Sequence, residues 1–400
     1  MQSEFLESPF QPGQPVSPEK FKGREKNKDK ILRRLINVKN GNHQNFFIIG
    51  KKGMGKTSFV KYVGNLAKSE FQLIPVYINN DGSHTLNELI TQIIEILSSE
   101  FDKETFKNKI LRKFTNNIEE LRIEGIGIKL REQNKEIIEN IKESFPDFLI
   151  NICEELEEEN KGIFLIIDDI NGLSDDEKFS SWYKSFSETL GFKGKKVPVA
   201  FTLVSYPETF DKLAIQNPSF TRIFDVVEIN NLDDEDIKSF FIDTFNKASI
   251  HDIDPKGLEE MIYFSQGMPL VMQQIGDSIF WLIEGNEISH RNVLNGIIDA
   301  ADEIGRKQIR PVLKSIRSDN YESILMKLGE KKAIKFKKGE FNKFLSSSEK
   351  NVFSDFLTRS KELGILESIG KDKSGEYMFT NMLYFVYFMI KSINNKTIRN

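Results

Sequence analysis

Gly50-Lys51-Lys52-Gly53-Met54-Gly55-Lys56-Thr57-Ser58 is the stretch whose residue types and spacing point most directly to chemistry. Gly50 to Thr57 fits G-x-x-x-x-G-K-[ST] at every specified position. Glycines at these places let the backbone curl so that successive N–H groups face phosphate oxygens. A helix opening at the same point adds the positive end of its dipole. In such a loop Lys56 reaches the β- and γ-phosphates of ATP, and the Thr57 hydroxyl is a ligand for Mg2+. A lysine-rich surface turn matching by chance is the bland alternative. The flanks argue against it, because a strand-type run, Phe46-Phe47-Ile48-Ile49, precedes the loop and an amphipathic helix pattern follows from Phe59.

A second stretch supplies carboxylates. Ile163-Phe164-Leu165-Ile166-Ile167 is wholly apolar and ends in Asp168-Asp169. Apolar residues on both faces of a strand imply a central parallel strand covered by helices. Ligands of such sheets sit beyond the carboxyl ends of the strands. Asp168 is therefore expected to hold Mg2+ through water, and Asp169 to polarise the attacking water. The alternative is a buried strand that merely ends in Asp at a turn.

These residues need a parallel sheet to hold them. Leu73–Asn79, Val199–Ser205 and Asp225–Ile229 read as further strands, with Pro75 better suited to a strand's start or to an edge than to a centre. Asn27–Val38 and Thr85–Leu97 carry helical periodicity. Residues 98–161 read as a mostly helical, charged insertion, with an alternating strand or hairpin pattern over Ile123–Leu130. Beyond Leu232 the pattern predicts helices only, at Asp234–Ala248, Pro255–Ser265, Leu270–Glu284 and His290–Ala301. The last part predicts helices at Asn320–Leu328, Gly339–Leu345 and Glu349–Leu363. A hairpin over Ile365–Phe379 with its turn at Gly370–Gly375 follows, and then a helix from Met382.

Net charge is −4 over 400 residues, but it is unevenly spread. Gly305–Asn400 holds 20 Lys/Arg against 10 Asp/Glu, and the first 304 residues hold 36 against 50. An acidic domain joined to a basic module is the reading. The single cysteine, Cys153, excludes a disulfide framework and fits a reducing compartment. The polar, proline-rich opening from Met1 to Lys20 is not a signal peptide, and Met382–Ile390 is too short to span a bilayer. A cytoplasmic protein without a membrane partner is expected. The four histidines lie far apart, with no metal-ligand spacing around them.

Together these motifs resemble the AAA+/STAND-type P-loop ATPases of the archaeal-type and replication-initiator-like group. Phe21-Lys22-Gly23-Arg24-Glu25 resembles the family's entry motif, and the resemblance implies that Phe21, Gly23 and Arg24 pack near the adenine. It assigns Ser205 to the polar sensor of the γ-phosphate. Arg222 becomes an arginine finger, acting on a neighbouring subunit of a homo-oligomer. Gly267-Met268-Pro269 resembles the G-x-P module whose proline lies against the nucleotide. Leu270, Val271 and Met272 stand where many relatives place a sensor arginine, which favours the STAND and archaeal-type branch. The implied fold is α/β: a P-loop NTPase core over 21–232 and a helical lid over 233–304, preceded by a flexible tail, 1–20. A C-terminal winged helix fills 305–400. Such a domain binds double-stranded DNA or protein. Lys337, Lys338, Lys343, Lys350, Arg359, Lys361, Lys371 and Lys373 are the candidates for phosphate neutralisation.

Overall fold

The computed structural model describes residues 7–80, 85–100, 123–124, 127–128, 135–157, 161–316, 318–370 and 375–399. Expectations for Lys371 and Lys373, for the middle of the Gly370–Gly375 turn and for most of the insertion fall outside these residues. The apolar runs of the first half form β1 (Gln44–Ile49), β2 (Leu73–Asn79), β5 (Gly162–Asp168), β6 (Val199–Ser205) and β7 (Asp225–Glu228). Between β2 and β5, the short strands β3 (Ile123–Glu124) and β4 (Gly127–Ile128) pair antiparallel.

The five longer strands make one parallel sheet in the order β2-β5-β6-β1-β7. Both β5 and β6 are buried at every position, as two covered faces require. Pro75 lies in β2, an edge strand, where its missing N–H costs no ladder bond on the open side. Helices Glu25–Lys39, Lys56–Phe71, Leu86–Glu100, Lys135–Glu157, Phe179–Phe192 and Pro207–Gln216 accompany the sheet. The last two were not read from the sequence. Phe179–Phe192 nevertheless has a clear inner stripe, with Phe179, Tyr183, Phe186 and Leu190 all buried at helical spacing.

Pro15–Asn230 is one compact unit; Asn231–Asn400, with the segment up to Gln14, is the other. The second unit holds helices Asp234–Lys247, Pro255–Ser265, Pro269–Phe280 and His290–Ile304. The expectation of helices alone beyond Leu232 fails at β8 (Asp252–Ile253) and β9 (Glu287–Ile288), a short parallel pair. Two residues per strand are too few to leave a period-2 pattern. Helices Asp319–Glu330, Lys338–Phe341, Ser347–Glu362 and Met382–Arg399 follow. Among them β10 (Lys335–Lys337), β11 (Leu366–Ser368) and β12 (Glu376–Phe379) form an antiparallel sheet in the order β10-β12-β11. β10 exposes two lysines and buries one side chain, Phe336, a pattern too short to mark a strand in the sequence.

Gly305 sits inside a continuous helical run, for a π-helical turn, Gly305–Ile309, joins His290–Ile304 to Arg310–Ile316. A Cβ at Gly305 would collide with the Tyr387 ring, so this glycine admits close packing by the last helix. One hydrophobic core then runs from Ile237 through to Phe388. Phe10 belongs to the same core. It is 3% exposed, lies edge-on to Phe245 at 4.8 Å and to Phe240 at 6.0 Å, and fills the space left by Gly276. The proline-rich segment read as a tail is thus anchored by one phenylalanine. An isolated Phe among prolines carries no periodicity that could announce its burial.

Candidate functional site

The loop after β1 has the backbone that its glycines suggest. Gly53 and Gly55 take φ of +82° and +78°, the left-handed region open to glycine at little cost. Gly50 serves differently: a Cβ there would stand 2.7 Å from the Ile229 carbonyl oxygen. Its hydrogen is needed because the chain leaving β7 runs against it, with Ile229 N–H donating to Ile49 O at 2.7 Å. Helix Lys56–Phe71 begins immediately, so its first N–H groups open toward the loop. Lys51 and Lys52 lie exposed at the loop's outer side, and Met54 is buried.

Lys56 Nζ donates to Gly50 O at 2.7 Å and to Lys51 O at 3.2 Å, and it stands 4.4 Å from the centre of the Tyr206 ring. Burial lowers its pKa below the usual lysine value, against the opposing pull of Asp168, Asp169 and Glu208. Thr57 Oγ1 donates to Asp168 Oδ2 at 2.7 Å, joining positions 111 residues apart. The sheet order achieves this, since β5 and β1 both point their carboxyl ends at the same crevice. Tyr77, on β2, also donates its hydroxyl to Asp168 Oδ2. Burial first, and then the neighbouring carboxylate, push the Tyr77 phenol far up, which keeps it a donor. A hydroxyl and a carboxylate are the hard oxygen donors that Mg2+ takes alongside substrate phosphates. Thr57 and Asp168 fit that ion in type and proximity.

Asp169 takes φ of +62°, a conformation that aspartate tolerates better than most residues. Its Oδ1 accepts from Asn171 Nδ2, and its carbonyl accepts from Asn80 Nδ2 at 3.3 Å. Asn171 Oδ1 in turn accepts from Tyr206 N–H at 2.9 Å and from Thr209 Oγ1 at 2.8 Å. One amide therefore ties the carboxylate to the end of β6. Ser205 closes that strand fully buried, and its hydroxyl donates to Tyr206 O at 2.8 Å.

Other expected site residues have different surroundings. Phe21 stacks on Tyr62 at 4.8 Å, against helix Lys56–Phe71. Gly23 and Arg24 are consecutive left-handed residues at +75° and +66°. The buried Arg24 guanidinium donates to Asn230 O at 2.6 Å and to Met54 O at 2.7 Å, clamping the phosphate loop to the chain beyond β7. Ser58 Oγ accepts from Val16 N–H at 3.1 Å. Arg222 is exposed and lies with Arg34, His43, Gln44 and Asp225 along a groove at the amino-terminal ends of β1 and β7. That is the opposite end of the sheet from Lys56. Pro269 opens helix Pro269–Phe280 in the second unit. Gly267 before it, at φ +70°, allows its carbonyl to accept from Leu232 N–H at 2.9 Å.

Sequence reasoning missed Tyr77, Asn171, Tyr206 and Thr209. Asn171 carried a weak signal, being two residues beyond Asp169. Tyr77 carried none, because only strand pairing brings it beside Asp168.

Residues 26–181 match the KAP family P-loop domain. No curated protein matches the chain. Among solved structures, the Walker-type ATPase PABY2304 of Pyrococcus abyssi is similar at TM-score 0.58 and 15% identity, over 94% of this chain and 98% of that one. The ORC2 protein of Aeropyrum pernix, in ADPNP–ADP complexes, is similar at 0.58 and 12%, over 96% and 97%. The ORC1 protein of the same organism, in complex with DNA, is similar at 0.50 and 12%, over 98% and 100%. At these identities the likeness establishes the fold: a P-loop NTPase sheet with flanking helices and a further, mostly helical part.

Proposed function

We propose that this chain is an ATP-binding, Mg2+-dependent ATPase acting as a nucleotide-controlled switch. The observation that carries the reading is the convergence of Lys56, Thr57, Asp168 and Asp169 around a loop of left-handed glycines. Loop N–H groups and the helix start receive the triphosphate, and Lys56 exchanges its two carbonyl partners for phosphate oxygens. Thr57 and Asp168 hold Mg2+, which supplies charge neutralisation at the phosphates. Asp169 orients the attacking water. Its side chain is a methylene shorter than glutamate and is held by Asn171, so turnover in the isolated protein is slow. Arg222, remote from its own loop, serves the site of a neighbouring subunit in a homo-oligomer. Phe21 and Gly23, on the approach to helix Lys56–Phe71, line the nucleotide's base.

Residues 305–400 then act as a winged helix that takes double-stranded DNA in the cytoplasm. The order of helices, the antiparallel β10-β12-β11 sheet, the surplus of Lys/Arg and the DNA-bound ORC1 neighbour support this. Lys350 and Lys361 lie exposed on helix Ser347–Glu362. A second reading, a STAND-like regulator whose C-terminal domain grips protein, draws on charge pairing. Lys337 pairs with Glu376 at 3.4 Å, Arg359 with Glu362 at 2.8 Å, and Lys338 donates to Ser354. Calorimetric titration with ATP–Mg2+ tests the first claim: wild type binds, and a folded Lys56→Ala protein does not. Undiminished affinity in that variant overturns the site. Duplex binding at two salt concentrations, read by fluorescence anisotropy, tests the second. Steep salt dependence supports DNA, and no binding at low salt favours a protein partner.

A further inference from the structure

We propose that Tyr77 is a positioning residue for the Asp168 carboxylate and, through it, for the Mg2+ of the nucleotide complex. The inference rests on the ATP–Mg2+ reading above and deepens it. Tyr77 stands opposite Ile166 in the β2–β5 ladder, two residues before the Asn79–Asp168 pair. Residues two apart share a face of the sheet, so Tyr77 and Asp168 lie diagonally on one face. From there the Tyr77 hydroxyl donates to Asp168 Oδ2, the same oxygen that accepts from Thr57 Oγ1 at 2.7 Å.

Two donors on one oxygen have a geometric consequence. The terminal torsion of an aspartate is broad, and a single hydrogen bond leaves the carboxylate plane free to swing. Here the donors come from different elements, the helix after the phosphate loop and an edge strand of the sheet. Together they fix the plane, so that the carboxylate would meet a cation in one set orientation. The phenol is itself held, because Lys61 Nζ lies 4.8 Å from the centre of its ring. Lys61 is one helical turn beyond Thr57, so a single helix supplies both the first donor and the brace for the second. Partners that orient a metal's protein ligands in this way are worth 10- to 100-fold in metal affinity or activity.

Tyr77→Phe removes the hydroxyl and keeps the ring and its contact with Lys61. The full chain is titrated calorimetrically with ATP in EDTA, and then with ATP at stepped Mg2+ concentrations. The expected result is ATP affinity in EDTA within about twofold of wild type, with the Mg2+ concentration for half-maximal gain raised about tenfold. Tyr77→Leu, which removes the ring as well, should show a Mg2+ shift no smaller. An unchanged Mg2+ requirement in a Tyr77→Phe protein that binds ATP normally overturns this proposal alone. Equal loss of affinity with and without Mg2+ also overturns it, since that marks a packing role. Absence of ATP binding by the wild type removes the nucleotide reading and this proposal with it.

Discussion

Glu349 offers a sharp test of how the C-terminal part of the chain is held. Its carboxylate is 4% exposed and fastens two helices. Oε2 accepts from Lys327 Nζ at 2.5 Å and from Ser346 N–H at 2.6 Å, and Oε1 accepts from Ser323 Oγ at 2.8 Å. Ser323 and Lys327 are one turn apart on helix Asp319–Glu330, whereas Ser346 and Glu349 form the capping box of helix Ser347–Glu362. Burial pushes the pKa of Glu349 up, but the hydrogen bonds from Lys327, Ser346 and Ser323 outweigh it and bring the group from 4.5 down to about 2. At 1.36 kcal/mol per unit the depression corresponds to about 3 kcal/mol of folding stability. The folded pKa lies below the unfolded one. This stability is therefore complete well above pH 4.5 and drains away as pH falls toward 2. Glu349→Gln keeps the size and removes the charge. It should cost about 2–3 kcal/mol at neutral pH, and the gap to wild type should narrow by about 1 kcal/mol at pH about 3.5. Urea unfolding of both proteins by circular dichroism at the two pH values measures it. A gap that does not change with pH would refute the assignment of a buried, ion-paired carboxylate. A gap near zero at neutral pH would refute the geometry itself.

Phe10→Ala should lower the stability of the C-terminal unit by about 3 kcal/mol, because it empties a site that only the ring fills; a shift below 1 kcal/mol in urea unfolding would show that the segment is not anchored there. Asp169→Glu should speed ATP hydrolysis over a slow wild-type rate, whereas a wild type already near the enzyme median of about ten per second would contradict the argument from side-chain length. Arg222→Ala should keep ATP binding and lose about a thousandfold in turnover. Mixing it with Lys56→Ala protein should restore part of that activity. No rescue, or a wild type that hydrolyses ATP as a monomer by light scattering, would remove Arg222 from catalysis.

Short-range features of the sequence determined much of this protein. The phosphate loop, the apolar strand that ends in Asp168-Asp169 and the strands around them are legible because a motif and a period of two or 3.6 occupy adjacent residues. The glycine positions of the loop followed from the same local rule, except that Gly50 answers to the Ile229 backbone and not to its own torsion. Tertiary structure decided what no window of ten residues contains. Strand order set Thr57, Tyr77 and Asp168 around one oxygen, and put Arg222 at the far end of the sheet. Arg24 looked like part of a nucleotide motif, yet its guanidinium meets two carbonyls whose nearness depends on how β7 returns beside the loop. Gly305 looked like a domain boundary; packing by Tyr387 made it part of a continuous helical run. The physical reason is the same in each case. Local patterning chooses which face of an element is buried, and only the closed chain chooses what lies against it.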